Sequence, residues 1–147
     1  MRRFRPKADA RRNLELDLWP LAAVAAAAGK RVGLPRYDAA LSGYAPCEIQ
    51  DFSRDLAAGR YGIREPAVHC GKLPLNRLDL MLVPGVAFDL QGRRLGRGKG
   101  YYDRMLAAFH GVTCGVAFEQ QIVHAIPVAP HDVPVNCLLT PLRWFAL

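Results

Sequence analysis

The chain has 147 residues, 51% of them apolar, and 20 Lys/Arg against 13 Asp/Glu set a formal net charge of +7. That length suits one domain of ordinary size and suffices to bury a sizeable core. No apolar run approaches the ~20 residues of a membrane span and the N-terminus lacks the apolar stretch of a secretory leader, so neither membrane insertion nor secretion is expected and the cytoplasm is the default compartment.

In chain order, the first segment is MRRFRPKADARR, residues 1–12, with six basic residues against one Asp, so that +5 of the +7 lies there and +2 remains for the rest. It reads as a solvated, disordered basic arm preceding a single α/β domain at residues 13–147. Charge held on an arm is a poor argument for nucleic acid, and no aromatic stacking motif accompanies it. Residues 18–28 are alanine-rich and stop at Gly29, which predicts a helix with a glycine cap. A short strand is expected at 31–34, and a strand after a helix suggests βαβ units. A further strand is expected at 44–49, then a short helix at 53–58 capped by Ser53, then the turn-rich GRYGIREP at 59–66. The continuous apolar run at 78–83, bounded by Pro84 and Gly85, predicts a strand buried on both faces, and 112–118 and 136–140 repeat the signal. Residues 120–125 read as a helical turn, and the prolines at 127, 130 and 134 mark a loop. The expected fold is a three-layer α/β/α, Rossmann-like open sheet, mainly parallel, with ligands at the carboxyl ends of its strands.

The segment LMLVPGVAFDLQGRRLGRGKGYYDR at 80–104 carries the chemistry. Gly96, Gly98 and Gly100 alternate with Arg97 and Lys99, so the backbone can adopt positive φ and turn several N–H groups toward one anion while the side chains add charge. Residues 101–109 then predict a short helix whose N-terminus faces the same anion, with Leu106 and Phe109 on its apolar face. Asp103, in the first helical turn, is placed to hold a Mg²⁺ that bridges phosphate oxygens. The loop is not a Walker A sequence, since Arg93 and Gly100 stand where Gly and Ser/Thr are required, and its GxGxG spacing is not the dinucleotide fingerprint. Cys47, Cys70, Cys114 and Cys137 are widely spaced without CxxC or HxxxH partners, so neither zinc nor disulfides are expected. Cys114 and Cys137 read as small buried residues of strands.

The run VPGVAFDLQGRRLGRGKGYYDR resembles the signature of the 5-formyltetrahydrofolate cyclo-ligases, also called 5,10-methenyltetrahydrofolate synthetases. GRYGIREP resembles that family's G-x-x-GI-x-EP segment, and Gln121, Pro127, His131, Asp132 and Thr140 are in register with its tail, so the likeness covers about residues 13–143. It implies ATP- and Mg²⁺-dependent closure of 5-formyltetrahydrofolate to 5,10-methenyltetrahydrofolate with release of ADP and phosphate. It implies further that Arg94, Gly96, Arg97, Gly98, Lys99, Gly100, Tyr101 and Asp103 bind the nucleotide and that Arg94, Lys99 and Tyr101 assist turnover. Asp103 and Asn136 are then the metal ligands, and Glu15 and Tyr101 face the folate, with Tyr102 packed beneath Tyr101. Two departures from the family accompany these matches. The family's N-terminal helices and first strand have no counterpart here, and Asn136 replaces a metal-binding Asp. They leave open a shortened, non-catalytic homologue that binds nucleotide or RNA through the basic loop and covers its incomplete sheet as a homodimer, or a start site placed too far downstream.

Overall fold

The structure, a computed structural model, describes residues 15–59 and 62–147, so the arm expected at 1–12 lies outside the described residues. The chain divides into two compact units. One, the hairpin unit, comprises Asp17–Leu80 and Tyr101–Gly111; the other, the sheet unit, comprises Met81–Gly100 and Val112–Leu147 with Glu15 and Leu16.

In the hairpin unit, helix α1 (Trp19–Ala27) carries a proline in its first turn, where a missing N–H is harmless. The Asp17 carboxylate accepts a hydrogen bond from the Trp19 N–H at 3.0 Å, and the helix stops at Gly29 with φ 77°, as its sequence predicts. Strand β1 (Val32–Asp38) then pairs antiparallel with β2 (Gly43–Ile49), from Val32 opposite Ile49 to Asp38 opposite Gly43. The strand at 31–34 is thus longer than expected and enters a hairpin, not a βαβ crossover, because the connection at 39–42 is too short for anything else. Along β2 the buried residues alternate, Gly43, Ala45, Cys47 and Ile49. Cys47 and Ile49 form a small core with Cys70, against which Leu34, Phe52, Leu56 and Ala67 pack.

The helix expected at 53–58 is not formed. Asp51 accepts hydrogen bonds from the Ser53 N–H at 2.8 Å and the Ser53 hydroxyl at 2.6 Å, which closes a turn, and the chain continues as β3 (Leu56–Ala58) against β4 (Arg64–Pro66). Ser53 therefore donates to a turn where a helix cap was expected. Helix α2 (Tyr101–Ala108) buries Leu106, with Phe109 buried just beyond it.

The sheet unit is built on strands β5 (Leu80–Pro84), β8 (Val112–Val116), β9 (Cys137–Leu139) and β10 (Trp144–Ala146), in the order β10-β9-β8-β5. Between β5 and β8 the chain forms a small antiparallel hairpin, β6 (Ala87–Phe88) and β7 (Arg94–Leu95). Val83, Phe88, Val116, Ala117 and Leu138 are among its most buried side chains. Strand β5 buries Met81 and Val83 on one face; on the other, Leu82 and Pro84 are half-buried and Leu80 is exposed, so burial is less complete than the expected burial on both faces. Cys114 and Cys137 are buried register partners, in agreement with their reading as strand residues. A single 3-10 turn, Glu119–Gln121, stands where a helical turn was expected at 120–125.

The fold is α/β. The mainly parallel arrangement does not extend through the described pairings: β8 and β9 are parallel, but the β1–β2, β3–β4, β6–β7 and β9–β10 pairs are antiparallel. Among the described residues no helix is long and apolar enough to cross a membrane.

Candidate functional site

The glycine loop follows β7 and is separated from β5 by the β6–β7 hairpin. Strands of two residues cannot hold a loop by ladder bonds alone, and buried polar side chains hold this one. Asp89 is fully buried in the β6–β7 turn. One of its oxygens accepts the N–H groups of Gln91 and Arg93, both at 3.0 Å, and the other accepts that of Ile126 at 2.9 Å. Gln121, also buried, accepts the Phe118 N–H at 2.8 Å and donates to the carbonyls of Gly85 and Val86 at 3.0 and 3.2 Å. At Gly92 (φ 80°) a Cβ would stand 2.4 Å from the Val135 carbonyl oxygen, so the turn also needs a glycine for close approach.

Within the loop, Gly98 and Gly100 have φ of 87° and 68°, and a Cβ at either would meet nothing within 4 Å. Their role is therefore conformational: left-handed glycines turn successive N–H groups to one side and leave the space beside them open. The basic residues, equivalent in sequence, separate into two sets. Arg93 donates to the Ile126 carbonyl at 3.3 Å and lies 3.7 Å from Asp89, while Arg94 donates to the Pro84 carbonyl at 3.2 Å, so both brace the hairpin. A shallow depression beside them is lined by Gln91, Arg93, Arg94, Val128 and Asp132. Arg97 and Lys99, by contrast, are exposed, and Arg97 forms a 2.9 Å ion pair with Glu15. The two predicted site residues Glu15 and Arg97, 82 positions apart, are thereby brought together.

In the hairpin unit, Tyr101 opens α2 and Asp103 lies in its first turn. The Tyr101 ring is met edge-on by Tyr44, with centroids 5.1 Å apart, and by Tyr37 at 6.5 Å. The Arg104 guanidinium lies 5.4 Å from the Tyr101 centroid and donates to the Ser42 carbonyl at 3.0 Å. Tyr101 and Tyr102 are both half-buried. Tyr37 and Tyr44 carry no signal in the sequence, since tyrosines in strands are common; only the hairpin register, which sets them opposite each other, marks this pair.

Asn136 has a structural task at the start of β9. Its amide oxygen accepts both the N–H and the hydroxyl of Thr113, at 2.8 and 2.9 Å, and its own N–H donates to the Thr113 hydroxyl at 3.0 Å. Thr140, at the end of the same segment, donates its hydroxyl to Glu119, which also pairs with Arg143. Arg143 and the Thr140 hydroxyl hold the Glu119 carboxyl below the usual range. Burial and the neighbouring Cys137 push the Cys114 thiol up to about 12, so it is no nucleophile at neutral pH.

The sequence profile of the 5-formyltetrahydrofolate cyclo-ligase family matches residues 13–141. A 5-formyltetrahydrofolate cyclo-ligase of Escherichia coli K12 is 39% identical over 133 residues, a span of 88% of this chain and 73% of that relative. The solved structure of a 5,10-methenyltetrahydrofolate synthetase from Aquifex aeolicus matches with a TM-score of 0.77 and 36% identity, covering 90% of this chain and 66% of that one. A synthetase structure from Mycoplasma pneumoniae shares the fold, with a TM-score of 0.64 at 20% identity over 86% of this chain and 65% of that one.

Proposed function

The chain belongs to the 5-formyltetrahydrofolate cyclo-ligase family, a family of ligases, and from that premise we propose that it converts 5-formyltetrahydrofolate to 5,10-methenyltetrahydrofolate, coupled to hydrolysis of ATP to ADP and phosphate. The observation that carries this reading is the pair of left-handed glycines, Gly98 and Gly100, with open space beside them and Lys99 exposed between them. A loop of this kind offers backbone N–H groups and a cation to a polyphosphate without side chains in the way.

A formyl amide oxygen is a poor leaving group. Its transfer to the γ-phosphoryl group turns that oxygen into part of a phosphate and opens the formyl carbon to attack by N10. In such a reaction the protein's part is to position the reactants and neutralise charge. Lys99 and Arg97 are the exposed cations of the loop and serve the phosphates. Arg94 acts from the hairpin, with Gly96 as its close neighbour, since a Cβ there would lie 2.9 Å from the Arg94 guanidinium. Tyr101 is assigned to the substrates and Glu15 to the folate, where release of Arg97 by an incoming phosphate would free its carboxylate.

Asp103, a carboxylate in the first turn of α2, suits Mg²⁺. Asn136 suits it less, because its amide oxygen already accepts two hydrogen bonds from Thr113. Bound there, Mg²⁺ supplies charge neutralisation on the phosphates. Residues 13–147 act as one catalytic domain in this reading, with the three-layer sheet of the expected fold and a cytoplasmic location. The test is the Mg·ATP-dependent appearance of methenyltetrahydrofolate absorbance from 5-formyltetrahydrofolate. Lys99→Ala is expected to lower turnover ~100-fold or more with the thermal midpoint unchanged; equal turnover by the variant removes the phosphate assignment. No turnover by the folded wild-type chain leaves a binding-only homologue.

A further inference from the structure

The β3–β4 pairing brings together three side chains that lie apart from the glycine loop in sequence. Asp55 immediately precedes β3, His69 and Cys70 follow β4, and their potential donor atoms all lie within 4.8 Å of one another. Among the described residues this is the one such group of three. We propose that Asp55, His69 and Cys70 bind a single Zn²⁺ ion, with water completing the coordination.

The backbone fixes the group. The Ala67 N–H donates to the Asp55 carbonyl at 2.8 Å, the Cys70 N–H donates to the Ala67 carbonyl at 3.0 Å, and the Cys70 thiol reaches the Asp55 carbonyl at 3.4 Å. The Asp55 carboxylate is oriented in advance, since one oxygen accepts the N–H groups of Gln50 and Asp51, both at 2.9 Å. Its other oxygen faces His69 Nε2 at 2.9 Å. Supporting hydrogen bonds of this sort are what set a ligating carboxylate in metal sites.

The donor set selects the ion. One carboxylate oxygen, one imidazole nitrogen and one sulfur suit Zn²⁺, whose bonds of ~2.0–2.3 Å place neighbouring donors about 3.3–3.8 Å apart in a tetrahedron. A group spanning no more than 4.8 Å needs only a side-chain adjustment to reach that. Mg²⁺ takes oxygen ligands and would not choose an imidazole and a thiol, so this site is chemically separate from any ion at Asp103. Entry is open on one side: the His69 side chain is 52% exposed, whereas Cys70 is buried in the small core. Arg54, 3.1 Å from the same Asp55 oxygen, is the cation the metal would displace, and its side chain, 67% exposed, has water to move into. Zn²⁺ binding releases the Cys70 thiol proton and any proton on the ligating imidazole nitrogen, so the charge of the ion is met by carboxylate and thiolate.

The test is a titration of the full chain, purified with reductant and stripped by chelator, using Co²⁺ as a visible probe and Zn²⁺ as competitor. Expected are one equivalent of Co²⁺ bound with a thiolate charge-transfer band, displacement by Zn²⁺, and a rise in thermal midpoint with Zn²⁺. Cys70→Ser is expected to abolish the band, and His69→Ala, at a half-exposed position that leaves the core intact, to weaken binding at least about tenfold. Absence of the band in the wild-type chain, or its persistence at unchanged affinity in either variant, overturns the proposal.

Discussion

Two hairpins in this chain are stabilised by different means. The β1–β2 hairpin has seven rungs and buries every second residue of β2, so apolar packing and ladder bonds hold it. The β6–β7 hairpin has two rungs, and its shape rests on the buried carboxylate of Asp89 and the buried amide of Gln121. A long hairpin with one buried face tolerates the loss of any one polar contact, whereas a short one that launches a glycine loop depends on a few side chains that satisfy backbone groups water cannot reach.

That contrast is open to test in order of expected effect. Asp89→Ala leaves three backbone N–H groups without their acceptor in a buried turn, and an expected loss of about 4 kcal/mol or more should register in urea unfolding. Ile49→Ala, in the core of the long hairpin, is expected to cost about 3 kcal/mol by cavity formation. If it proves larger than the Asp89 effect, apolar packing dominates in both places and the contrast fails. Gln121→Ala should lose about 2 kcal/mol and, by loosening the segment at Gly85 and Val86, lower cyclo-ligase turnover as well. The smallest effect is electrostatic. The folded-state pKa of Glu119 is depressed by Arg143 and the Thr140 hydroxyl, so its contribution is present above the unfolded carboxyl value of ~4.3 and is lost as pH falls through the folded value. Thermal midpoints of wild type and Glu119→Gln should differ at neutral pH and converge in acid; a constant difference would assign the effect to packing.

Legibility in the sequence followed the length scale of the signal. Helix α1 with its Gly29 stop, the Tyr101 helix and the strands expected at 44–49 and 112–118 are legible because alanine content, apolar runs and a glycine stop are local signals. Residues 53–58 carry a cap-like serine and predict a helix locally, and only the Asp51 turn and the partner strand β4 decide for strand β3. A single aspartate in a turn, as at Asp89, gives no local sign of being buried, and charge alone does not sort the five arginines and lysines around the loop.

The sequence by itself determined the family, the basic glycine-rich loop and its position before a helix, because these depend on residue types at fixed spacing along the chain. Tertiary structure alone decided which cations brace and which face outward, that Glu15 meets Arg97, that the Asn136 amide is engaged by Thr113, and that Asp55 joins His69 and Cys70. Each of these joins residues far apart in sequence, and strand register, which no local pattern encodes in full, determines which of them meet.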